Sequence, residues 1–119
     1  MMVYAVRGAI QIGSNTREAV TDSATELIKR ILKINHLTEN SIISIVFSVT
    51  KDITAYNPAA AIRLNGFDKV PLFCVQEAYM EAQMPLIIRV LITYNSKENI
   101  NPVPVYLNGA EKLRPDLFR

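Results

Sequence analysis

Two arginines stand where an arginine is costly. Arg89 interrupts the apolar run Leu86-Ile87-Ile88-Arg89-Val90-Leu91-Ile92, and Arg7 sits among small apolar residues directly before Gly8. A guanidinium among Ile, Val and Leu is expensive to bury unless an anion pairs with it. Arg89 could therefore bind an anionic ligand, lie on a solvated sheet face, or be tied to Glu77 or Glu81. Arg7 and Arg89 together with Tyr106 would suit a ligand that bears carboxylates, because arginine donates in a planar, bidentate fork. Glu77 could accept a hydrogen bond from a ligand hydroxyl, or neutralise one of the arginines.

The second concentration of unusual choices is Val70-Pro71-Leu72-Phe73-Cys74-Val75-Gln76-Glu77, a β-prone run that carries the only cysteine. Strand residues alternate faces, so Cys74 and Glu77 could share a site only if the chain bends near Gln76. A pocket that uses Cys74, Glu77 and Arg89 together requires that bend. Cys74 reads more readily as a small buried hydrophobe than as a nucleophile, since no base accompanies it. His36, the only histidine, follows a helix end. No glycine-rich phosphate loop, paired-carboxylate motif or zinc-binding HExxH pattern occurs. Any chemistry here has no evident nucleophile and no metal.

The rest of the composition is ordinary. The 119 residues suffice for one domain, 1–119, with half of them hydrophobic and 20% charged. A net charge of +2 without a Lys/Arg block gives no reason to expect nucleic acid. A single cysteine excludes an internal disulfide and leaves no zinc-ligand set. No stretch approaches the ~20 apolar residues of a membrane span. No charged segment leads into a long apolar core at the N-terminus, so a soluble, cytoplasmic protein without membrane contact is the expectation.

These residues must be held by a small set of elements. Residues 2–12 predict a strand with Arg7 on the Val3/Ala5/Ala9 face, and Gly8 marks a bulge or a close approach. A helix follows, with Asn15 as cap, Glu18 as its capping-box partner and Asn35 as a left-handed stop. Its apolar stripe is Val20, Ala24, Leu27, Ile28, Ile31 and Ile34. Residues 42–49 are nearly continuous Ile, Val and Phe, as expected of a strand covered on both faces. Asn57 caps and Pro58 opens a short helix over 59–64 that carries Arg63 and stops at Asn65-Gly66. Strands follow at 70–75, 85–94 and 103–107, the last an edge strand by virtue of Pro102 and Pro104, and 110–119 is a charged tail. The order predicts an α/β (α+β) fold: a mixed sheet with one long and one short helix. So small a helical complement leaves one sheet face bare, which points to a homo-oligomer.

In Val6-Arg7-Gly8-Ala9, Asn57-Pro58-Ala59 with Arg63, Val70-Pro71, Cys74-Val75-Gln76-Glu77, Ile88-Arg89-Val90 and Val105-Tyr106-Leu107 followed by Leu113-Arg114-Pro115-Asp116-Leu117, the sequence resembles the monofunctional chorismate mutases of the trimeric class. The segments come in the family's order over essentially the whole chain. The closing Leu-Arg-Pro-Asp-Leu and the Val-Tyr-Leu before it are rather specific together.

The resemblance implies a homotrimeric pseudo-α/β-barrel with active sites at subunit interfaces. It also implies rearrangement of chorismate to prephenate, on the way to phenylalanine and tyrosine, with no cofactor. Carried over residue by residue, Arg89 would donate to the breaking ether oxygen and a carboxylate, while Arg7 and Tyr106 would hold the side-chain carboxylate. Glu77 and the Leu72-Phe73-Cys74 region would take the ring and its hydroxyl. Asn57, Ala59, Ala60 and Arg63, with Leu113 and Arg114 from the tail, would form the mouth. Asn57 departs from the family, where an aromatic is usual, as does Ala60, where a lysine can occur. Both departures suggest altered affinity more than lost chemistry. The competing expectations are an imine deaminase of the same trimeric fold and a non-catalytic trimer that binds small anions.

Overall fold

The structure, a computed structural model, describes residues 1–117. Phe118 and Arg119, the end of the expected tail, lie outside the described residues. Five strands form one mixed sheet: β1 (Met2–Gln11), β2 (Ile42–Val49), β3 (Leu72–Gln76), β4 (Ile87–Ser96) and β5 (Val105–Leu107). Their spatial order is β3-β2-β4-β1-β5. β4 runs antiparallel to both β1 and β2, whereas β3 lies parallel to β2 and β5 parallel to β1. The α+β expectation holds, and β5 is the edge strand that its flanking prolines suggest.

Both helices, α1 (Arg17–Ile34) and α2 (Pro58–Leu64), pack on one face of this sheet. Val20, Ala24, Leu27, Ile28 and Ile31 of α1 and Ile62 of α2 share one buried cluster with Val6, Ile10, Ile45, Phe47, Ile88, Val90, Ile92 and Tyr94 of the strands. Burial of each Val, Leu, Ile or Phe among them contributes about 1.5–3 kcal/mol. Gly8 is the point of closest approach. A Cβ there would lie 2.7 Å from Ile31 Cδ1 and 2.9 Å from the Val105 carbonyl oxygen, so the Ile31 side chain and the β5 backbone would both have to shift. No bulge is needed, since β1 pairs with β4 in unbroken register through Gly8 and Val90.

Several local expectations change. Thr16, not Asn15, caps α1, its hydroxyl accepting from the Ala19 N–H at 3.1 Å. Glu18 is then one position too early for a capping box. Asn15 instead accepts from the Thr54 and Ala55 amides, tying the helix start to the segment before α2. At the other end His36, at φ 54°, takes the left-handed conformation, while Asn35 stays at φ −97°. The buried Asn35 side chain donates to the Ile31 and Val103 carbonyls and accepts from the Val103 N–H, so it clips the approach to β5 onto α1. Ile34 falls off the apolar stripe and is 43% exposed. The cap of α2 is as expected, with Asn57 Oδ1 accepting from the Ala59 N–H at 2.8 Å.

The expectation that β2 is covered on both faces is contradicted. Ile42, Ile45 and Phe47 are buried, but Ile43 and Val46 are 38% and 37% exposed. The continuous apolar run is therefore part core and part partly exposed surface among the described residues. β3, β4 and β5 each begin about two residues later than expected, at Leu72, Ile87 and Val105. For β4 the reason is Leu86, whose φ of 55° is incompatible with a strand. The tail is not free. It folds into two 3-10 turns, Ala110–Leu113 and Pro115–Leu117, with Ala110 fully buried. Among the described residues no helix is long and apolar enough to cross a membrane.

Candidate active site

The sheet face opposite the helices gathers the charged residues. Side chains directly paired across strands share a face. One row across the sheet therefore runs Val75, Ser48, Arg89, Ala9, Tyr106, and the next runs Phe73, Val46, Leu91, Arg7. Arg7, Arg89 and Tyr106 thus come from three different strands onto one surface. A cleft of about 330 Å³ opens there, lined by Arg7, Gly8, Val46, Ser48, Arg89, Val90, Leu91, Tyr106 and Arg114. Three guanidinium groups and a phenol in one hollow favour an anionic ligand. Two larger hollows, of about 500 and 600 Å³, lie on the outer surface of α1 and around its C-terminal end, away from these residues.

Glu77 enters from the end of β3. Its N–H donates to the Val49 carbonyl at 2.8 Å, which carries the β2 ladder one residue past Gln76. Alternation along β3 then puts Glu77 on the same face as Val75 and Arg89, without a bend. Its Oε1 lies 2.8 Å from Arg89 Nε, and its Oε2 accepts from Gln83 Nε2 at 3.2 Å. The Arg89 Nε–H is not aimed along the short contact, and this buried nitrogen has no hydrogen-bond partner among the described residues. The pair is an electrostatic contact made through a nitrogen that the fold shields from solvent.

Cys74 does not join them. Leu72 and Cys74 pack against the helix-side core, whereas Phe73 and Val75 face the other way. The demand that Cys74, Glu77 and Arg89 face one pocket is therefore contradicted, because Glu77 lies three positions past Cys74 along a strand that does not bend, which puts the two on opposite faces. Burial pushes the Cys74 thiol above its ordinary value, which suppresses the thiolate. The Cys74 side chain leaves the site. Its backbone is differently placed: Pro71 accepts from the Ile45 N–H and Glu77 donates to Val49, so their peptide groups point at β2. By alternation, the N–H and C=O of Leu72, Cys74 and Gln76 point out from the free edge of β3.

The mouth residues divide. Leu113 and Tyr106 share a small second cluster with Ala9, Ile87, Ala110 and Met84, which seats the tail over one end of the open face. Arg114 lines the cleft and is clasped by Asp116, with Nε–Oδ1 at 3.1 Å and Nη2–Oδ2 at 2.8 Å. That hydrogen-bonded pair holds the Asp116 carboxyl below the usual carboxylate range. Asn57, Ala59, Ala60 and Arg63 do not approach the cleft. They belong to α2 and its cap, on the opposite face, where Ala59 is buried and Asn57 and Arg63 are exposed. A single chain does not bring the two halves of the expected residue set together.

Sequence reasoning did not single out Ser48, which lies between Val75 and Arg89 in the cleft row, or Gln83. Ser48 was legible in principle, since it interrupts an apolar strand two positions from Val46. Gln83 depends on how the loop between β3 and β4 folds, and no sequence pattern marks it.

Comparison with known proteins adds an independent observation. The family model for chorismate mutase type I matches residues 3–117. The chain is 36% identical over 118 residues to chorismate mutase AroH of Thermus thermophilus, covering 98% of this chain and 97% of that protein. It is 32% identical over 119 residues to chorismate mutase AroH of Bacillus subtilis, covering 98% and 94%. A solved chorismate mutase from Clostridium thermocellum superposes with a TM-score of 0.88 at 35% identity, over 92% of this chain and 98% of that one.

Proposed function

This chain belongs to the chorismate mutase type I family, and we propose that it rearranges chorismate with the residues gathered on its open sheet face. The activity is that of a chorismate mutase, an isomerase of the route to aromatic amino acids. The matches do not favour the imine deaminase reading. The observation that carries the site assignment is the Glu77–Arg89 pair at a cleft that also holds Arg7, Tyr106 and Arg114.

The reaction is a [3,3] rearrangement in which the ether C–O bond breaks as a C–C bond forms. It needs a folded substrate and stabilisation of the charge that develops on the ether oxygen. Arg89 supplies the second, since Glu77 holds its guanidinium at the cleft. Arg7 and Tyr106 receive the side-chain carboxylate and Glu77 accepts from the ring hydroxyl, which together hold the substrate near its reactive conformation. Catalysis then rests on Arg89, Glu77 and Arg7. Cys74 contributes at most its outward-facing peptide groups.

The site is completed by a second copy of the chain. Arg63 and Asn57 lie on the far side of the sheet from Arg7 and Arg89, so they serve a site whose open face belongs to a neighbour. Phe73, Val75, Val46 and Leu91 form an exposed apolar band on the open face, and a homotrimer would cover it. Cytoplasm is the compartment we assign. A continuous assay of chorismate absorbance, run alongside a sizing measurement, tests the reading. Turnover at three times the 13.4 kDa chain mass is expected. Full turnover by a monomer would contradict the shared site, and no turnover by a well-formed trimer would contradict the activity.

A further inference from the structure

We infer that Gln83 is a positioning residue for this reaction, acting through Glu77. The inference rests on the assignment of Glu77 and Arg89 to the site. Glu77 sits at the start of the loop that joins β3 to β4, and Arg89 lies two residues into β4 from Ile87. A carboxylate on a loop can rotate about its side-chain bonds, so its contact with Arg89 fixes one oxygen and leaves the plane undetermined. Gln83 supplies the second point. Its Nε2 donates to Oε2 at 3.2 Å while Oε1 faces Arg89 Nε at 2.8 Å. With one oxygen held on each side, the carboxylate plane is set, and with it the aim of the arginine.

The loop is built to hold Gln83 there. The Gln83 N–H closes a turn on the Met80 carbonyl at 3.1 Å, and the neighbouring Ala82 takes a left-handed φ of 59°. The loop's far end is anchored independently. Asp52 accepts from the Leu86 N–H with both carboxylate oxygens, at 3.2 and 3.0 Å, and the buried Thr50 hydroxyl accepts from the Ile87 N–H at 3.0 Å. On the other side the Ile12 N–H donates to the Leu86 carbonyl at 2.8 Å and Gln11 donates to that of Pro85 at 3.1 Å. Gln83 itself is half-buried. Its one side-chain hydrogen bond given by the described residues is the bond to Glu77.

The test is a double-mutant cycle in the assembled protein, read as chorismate turnover. Gln83→Leu removes the donor at similar size, and Gln83→Glu keeps size and polarity but faces Glu77 with a second acceptor. Each should lower kcat/KM about tenfold, chiefly through kcat, because a misaligned catalytic group loses rate without losing the cleft. Neither should shift the thermal midpoint appreciably. In a Glu77→Ala background the same substitutions should have no further effect, since the group they act through is gone. A Gln83→Glu protein with wild-type kinetics overturns the inference, as does an equal loss with and without Glu77. If Glu77→Ala alone leaves turnover intact, the failure lies with the assignment of Glu77 itself.

Discussion

The two faces of the sheet are built from the same strands and do different work. Towards the helices, β1, β2 and β4 present Val6, Ile10, Ile45, Phe47, Ile88, Val90 and Ile92, all buried. Towards the other side, the intervening residues of the same strands are Arg7, Ser48, Arg89 and Leu91, with Glu77 arriving from the end of β3. The first face closes on itself within one chain. The second carries Arg7 with no ion pair among the described residues, beside an apolar band that is partly exposed. On the function proposed above, folding is encoded on one side and catalysis, with assembly, on the other.

That contrast can be broken first by stability. Phe47 is fully buried on the helix side, whereas Phe73 is 64% exposed on the open side. Phe47→Ala should cost about 3–5 kcal/mol of folding stability in denaturant titrations. Phe73→Ala should leave the unfolding of the single chain nearly unchanged and weaken association on a sizing column. Equal destabilisation by both would mean that the faces are not divided as described. The next largest effect is chemical. Arg89→Ala should raise the barrier by on the order of 3 kcal/mol or more, expressed in kcat, with the fold intact by circular dichroism. Near-normal turnover by that variant would remove Arg89 from the mechanism.

The smallest effect belongs to Cys74. Because its side chain packs on the helix side and its thiol is pushed up by burial, Cys74→Ser should change turnover by less than about twofold. The unmodified thiol should also react slowly with alkylating reagents at neutral pH. Rapid alkylation that abolishes activity would place the sulfur in the cleft after all.

Much of this division was legible in the residues. The α2 start needs only Asn57 and Pro58, a local signal, and it is as expected. Arg7 and Arg89 were marked by the cost of placing a guanidinium among apolar neighbours. The misreadings share a cause: each depended on a partner far along the chain. Asn15 looks like a cap until the Thr54 and Ala55 amides, about forty residues away, take its oxygen. β2 looks covered on both sides because Ile43 and Val46 are apolar, but the described residues leave both more than a third exposed. The Cys74 error was avoidable. Cys74 and Glu77 are an odd number of residues apart, so a regular strand separates them, and the bend invoked to unite them does not form.

The most direct test of a site shared between chains is complementation. Arg63→Ala should impair apparent affinity and Arg89→Ala should impair turnover, with the two changes in different halves of each site. If equal amounts of the two variants are unfolded together and reassembled, about a quarter of the sites in a closed ring would combine an intact Arg63 with an intact Arg89. Measured as chorismate loss at substrate well below KM, the mixture should regain about a quarter of the wild-type rate, well above the mean of the separate variants. A mixture that shows only that mean would contradict a site built from two copies and return all of its residues to one chain.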